Sequence, residues 1–123
     1  MIWKDVYTTL HGYSGVSNLV GTRIYPTIVN QDPTYPCITH FRVSESGQIA
    51  IGGAVGLINP TWQVDAWATS YSDADSLMTQ IKAAMAAATL FKSVFINQID
   101  NIDRYEGDLG IHHILAEFSL WAS

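Results

Sequence analysis

The chain has 123 residues, 48% hydrophobic and only 14% charged, which suits one well-buried core and is too short for two. A net charge of -5, with six Lys and Arg placed singly, excludes a phosphate-binding face, which needs clustered cations. The lone Cys37 excludes an intrachain disulfide, and no run reaches the roughly 18 apolar residues of a membrane span.

In chain order, Ile2, Trp3, Val6 and Leu10 fall at helical spacing, so the chain opens as a short amphipathic helix with none of the features of a secretory signal. A soluble protein made in a cytoplasm is therefore expected. Gly12 and Gly15 break the helix; Val16, Leu19 and Val20 predict one further turn closed by Gly21. The tetrapeptide TRIY is a short strand stopped by Pro26. Pro33 and Pro36 bias the residues before them toward extended backbone, so a loop over 27–35 leads stiffly into a strand over Cys37–Ser44.

The segment ESGQIAIGGAVGLINP is Gly-rich and apolar, with no charge after Glu45. It reads either as a flexible hairpin tip or as an arm resting on a neighbouring protein. The arm reading spans about 46–60 of a single domain over 1–123 and predicts that Gln48–Asn59 is disordered in an isolated subunit. TWQVDAWAT then alternates cleanly, with Trp62, Val64, Ala66 and Ala68 on one face and Gln63, Asp65, Trp67 and Thr69 on the other. Ser72 with Asp75 resembles a capping box at a helix start, followed by a buried stripe of Ala74, Leu77, Ile81, Met85 and Ala88. Ala83, Ala86 and Ala87 leave the back of that helix uncharged, which permits close approach of a second body, although Ala is also simply the best helix former. FKSVFINQI is a strand, DNIDRYEGDLG an acidic turn region, and IHHILAEFSLW a last strand with His112, Ile114, Ala116, Phe118 and Leu120 on one face and Leu115, Glu117 and Trp121 on the other.

These elements predict an α+β fold: a mostly antiparallel sheet of about four to five strands with two helices on one face. The other face mixes Trp67, Leu115 and Trp121 with Gln63, Asp65, His113 and Glu117, the composition of an interface. Low overall charge beside four Trp and six Tyr points the same way.

Candidate chemistry is thin. His112 and His113 are adjacent on a strand and point to opposite sides, so they cannot grip one metal; either could approach His40, but further ligands are missing. Asp100, Asp103, Glu106 and Asp108 do not follow a calcium-loop spacing, and such runs are most often solvated turns. Cys37 lacks a catalytic context and reads as a small buried hydrophobe. Asp65 and Glu117 share a face, but paired acids on a sheet are more often tied to a cation such as Arg42 than catalytic. No phosphate loop or nucleophile elbow is present, and neither enzyme activity nor a cofactor is expected.

Four stretches, in order, resemble the tail-completion, or tail-to-head joining, proteins of long-tailed bacteriophages: LVGTRIYP, PTYPCITHFRVS, WQVDAWATSYSDADSLMTQIKAAM and YEGDLGIHHILAEFSLW. GQIAIGGAVGLINP is longer and more apolar than that pattern, and IHH replaces a frequent Tyr-Arg. The resemblance implies a virion tail terminator, assembled in the host cytoplasm as a ring, commonly hexameric, at the head-proximal end of the tail tube. Its implied partners are further copies of itself, the tube protein and the head connector or stopper, with DNA passing through the hole unbound. On that reading Ile49, Ile51, Val55, Leu57, Ile58, Trp67, Trp121, Ala83 and Ala87 are candidate interface residues, and Asp100, Asp103, Glu106 and Asp108 candidate lumen carboxylates. The alternatives are a neighbouring adaptor or stopper ring, or a small ligand-binding or enzymatic domain with a pocket near His40, Asp65 and His113.

Overall fold

The computed structural model describes residues 2–26, 34–49, 57–100 and 111–121, with the backbone alone described at 44–49, 57 and 58. Two short helices, α1 (Ile2–Gly12) and α2 (Ser14–Val20), lead into β1 (Ile24–Pro26). A long hairpin of β2 (Cys37–Ile49) and β3 (Leu57–Ala68) precedes α3 (Tyr71–Ala86), β4 (Lys92–Asp100) and β5 (His112–Trp121). Among the described residues the strands form one five-stranded sheet in the order β1-β2-β3-β5-β4. There β1 and β2 run parallel and the other pairs are antiparallel.

This is the expected α+β architecture with one more helix than anticipated. The turn after Gly12 closes into a helix of its own, because Gly21 at φ 60° lets its N–H return to the Ser17 carbonyl. Arg23 then ties the segment down: its Nε donates to the Pro36 carbonyl at 2.9 Å and its Nη2 to the Leu19 carbonyl at 3.2 Å. The RIYP motif therefore works as a clamp between the end of α2 and the start of β2.

The core lies between the helices and one face of the sheet. Val6, Leu10, Val16 and Val20 from the first two helices meet Leu77, Met78, Ile81 and Met85 of α3 and Val64, Ala66, Ile114, Ala116, Phe118 and Leu120 of the central strands. Alternation along β3 and β5 selects which residues face inward, as their period-two pattern requires.

Two expectations are corrected. The helix cap is Ser70, not Ser72: the Ser70 side chain accepts the Asp73 N–H at 3.1 Å, so α3 begins at Tyr71. A Ser three residues before an acid recurs in this stretch, and the earlier one has the extended backbone a cap needs (φ -142°, ψ 153°). The disorder expected over Gln48–Asn59 does not hold at the two ends of that stretch, since Gln48 pairs with Ile58 and Ile49 with Leu57 as part of the hairpin. Strand pairing continues outward through two register shifts, between Arg42 and Ser44 and between Glu45 and Gln48. Ile51 and Val55 lie outside the described residues.

Candidate functional site

On the sheet face away from the helices, β2, β3 and β5 bring together Thr39, Gln63, Asp65, Trp67 and His113. The Asp65 carboxylate accepts the Thr39 hydroxyl at 3.1 Å and the Gln63 amide at 2.7 Å. Thr39 in turn accepts the Trp67 indole N–H at 2.9 Å. The His113 ring lies flat on Trp67, with centroids 3.8 Å apart and planes 8° from parallel, and its Nε2 stands 3.6 Å from Asp65 Oδ1.

Thr39 and Asp65 are buried, so the bond between them is shielded from water. An Asp beside a His invites a catalytic reading, but the Thr39 hydroxyl beside them already donates to Asp65. Cys37, at the same end of β2, has its thiol pushed up to about 11 by burial, against the opposing pull of Arg23, and so stays protonated at neutral pH. Asp65 is thus held by Thr39 and Gln63, with His113 standing 3.6 Å away, and Arg42, its expected cation, projects from the other face opposite Trp62. Among the described residues no three His, Cys, Asp or Glu side chains gather to hold a metal.

His40 also lies on the helix side, opposite Val64, so it shares no pocket with Asp65 and His113; the pocket expected from those three residues does not form. It forms part of a cleft of about 380 Å³ lined by Trp3, Pro26, His40, Phe41, Arg42 and Trp62. Trp62 Nε1 donates to His40 Nδ1 at 3.1 Å. An indole can only donate, so Nδ1 must accept and the neutral ring carries its proton on Nε2. Nε2 is buried and meets no partner. Burial lowers the His40 pKa to about 4, with Asp65 pulling weakly upward, so the ring is uncharged at neutral pH. The Arg42 guanidinium stands at the rim, 5.9 Å from the Trp62 ring centroid.

The third feature is β4, an edge strand paired only with β5 among the described residues. Val94, Phe95, Ile96 and Ile99 are each 47–49% exposed along it. Monomers usually blunt such an edge with charges, yet here only the ends, Lys92 and Asp100, carry any. Asp100 accepts the Tyr71 hydroxyl and the Gln98 amide, both at 2.7 Å, and these bonds hold its carboxyl below the usual range. The sequence held the signal for this surface in VFI, three consecutive apolar residues that cannot all face one core.

The other expected interface residues are scattered. Trp67 belongs to the buried network, whereas Trp121 is half-buried at the far end of β5, opposite Lys92. Ala87 lines a groove of about 230 Å³ between α1 and the end of α3, with Ala83 half-buried beside it. Of the four expected lumen carboxylates only Asp100 lies within the described residues; Asp103, Glu106 and Asp108 fall outside them.

A family model described as tail completion protein gp17 matches residues 4–123. The chain belongs to that family. This tail completion protein is also similar in fold to a chain from a solved structure titled virion of native gene transfer agent (GTA) particle. The TM-score is 0.72 at 14% identity, covering 94% of this chain and 90% of that one. No curated protein matches it. It is a structural protein of a phage-type virion tail.

Proposed function

We propose that this tail completion protein forms a ring, hexameric by the family resemblance, at the head-proximal end of the tail tube. There it ends tube growth and joins the tail to the head connector, acting by shape, without catalysis. The observation that carries the reading is the uncapped apolar edge of β4, a surface that a free monomer has reason to cover. Identical subunits that meet by two different surfaces, over a rotation that closes, make a ring. The net charge of -5 suits a hole through which DNA slides without sticking.

The hairpin segment 46–60 is the arm that touches a neighbouring protein in the particle, and its paired ends give that arm a firm base. Removing the gene product decides the reading. Tubes of uncontrolled length beside unjoined heads are expected. Tubes of normal length with unjoined heads would refute termination and make the protein an adaptor or stopper.

A further inference from the structure

We propose that the cleft over His40 receives Asp100 of a second copy, as β4 of one copy adds antiparallel to residues 41–49 of β2 on the next. This rests on the ring reading and specifies its junction. Strand direction comes first. Three antiparallel steps separate β2 from β4 within one sheet, β2 to β3, β3 to β5 and β5 to β4, so β4 runs opposite to β2. Rotation about an axis along the strands preserves direction. The β4 edge of one copy therefore meets β2 of the next in antiparallel fashion.

Among the described residues β1 pairs with Ile38, Thr39 and His40, and 41–49 are paired on one side only, by β3. β4 has nine residues, the length of that stretch. Antiparallel pairing over it brings Asp100 beside Phe41 and Arg42, and Lys92 toward Ile49 with Glu45 between.

The faces agree as well. Asp100 stands opposite Ile114 and Arg42 opposite Trp62, and both partners belong to the helix-side core. Rotation keeps that face, so the Asp100 carboxylate comes up on the same side as the cleft. There it meets the guanidinium of Arg42 at the rim and the Nε2–H of His40 beneath, a buried donor with no partner in the single chain. Its bonds from Tyr71 and Gln98 leave acceptor capacity, because a carboxylate offers about four lone-pair sites. In a chain with eleven acids and six Lys and Arg, another copy offers carboxylates in excess to a cleft that has a cation at its rim.

The test is zero-length carbodiimide coupling of the Arg42→Lys protein, which keeps the charge and supplies an amine. Equal parts of light and nitrogen-15 chains are coupled at millimolar concentration and the linked peptides read by mass spectrometry. An amide between Lys at 42 and Asp100, with mixed isotope labels, is expected. Coupling between copies at other positions without this amide would leave the ring standing and overturn the junction. No coupling between copies at all would overturn both.

Direction is tested by charge exchange. Arg42→Glu or Asp100→Arg alone should weaken the junction by roughly tenfold or more, read as coupling yield at other inter-copy positions. An equimolar mixture of the two should restore it, since every contact in an alternating ring is then complementary. Failure of the mixture to exceed either variant alone would overturn the pairing, as would wild-type association of Arg42→Glu alone through two β4 strands back to back.

Discussion

The buried imidazole of His40 ties stability to pH at a single atom. Its pKa falls from 6.5 to about 4 on folding because burial disfavours the cation, so the unfolded chain binds the proton more readily. The contribution of His40 to stability is therefore fully present above about pH 6.5 and is lost as pH drops toward 4, by on the order of 3 kcal/mol. Urea unfolding at pH 7, 5.5 and 4 measures this slope. His40→Gln, which still offers Trp62 an acceptor, should flatten it, and an unchanged slope would locate the titration elsewhere. In the Asp65 network, Asp65→Ala leaves the Thr39 hydroxyl and Gln63 amide without their acceptor. A loss of about 2–4 kcal/mol in the same assay is expected, against under 1 kcal/mol were the carboxylate a bystander.

Among the elements, α3 depends on its ends and its stripe. Ser70→Ala removes the acceptor for the Asp73 N–H and should cost about 1 kcal/mol, while Ser72→Ala, at the cap position the sequence suggested, should cost a few tenths at most. Comparing the two melting curves checks the cap. Leu77→Ala, in the middle of the buried face, should cost about 2–5 kcal/mol. Much of this level was legible in advance, because β3, β5 and α3 each bury one face and so print a clean period in the chain. β4 was legible as a strand but not as an edge. Strand order is decided by contacts far apart in sequence, and nothing within FKSVFINQI states which neighbours it will have. His40 escaped for a related reason, since adjacent residues on β2 face opposite ways and only the register with Trp62 shows which one is buried with an indole.

At the scale of the whole molecule, the proposed ring separates folding from assembly. Ile96→Lys on the exposed edge should leave the monomer's unfolding free energy within about 0.5 kcal/mol while abolishing association between copies, measured by sedimentation beside the urea curve. A loss of stability of several kcal/mol would mean that β4 is buried within the single chain. The two edges of the sheet are unlike one another among the described residues: an apolar strand, β4, bounds one side, and a three-residue strand with the outer half of β2 bounds the other. Growth by such edges has a polarity, with a donor end and an acceptor end that no single addition can cancel. Every open chain of subunits stays reactive at both extremities, and only closure removes them. The angle between neighbours is then what separates a finite particle from an endless one. Substitutions that flatten the twist between β2 and β4 without touching the junction should turn rings into filaments visible by electron microscopy.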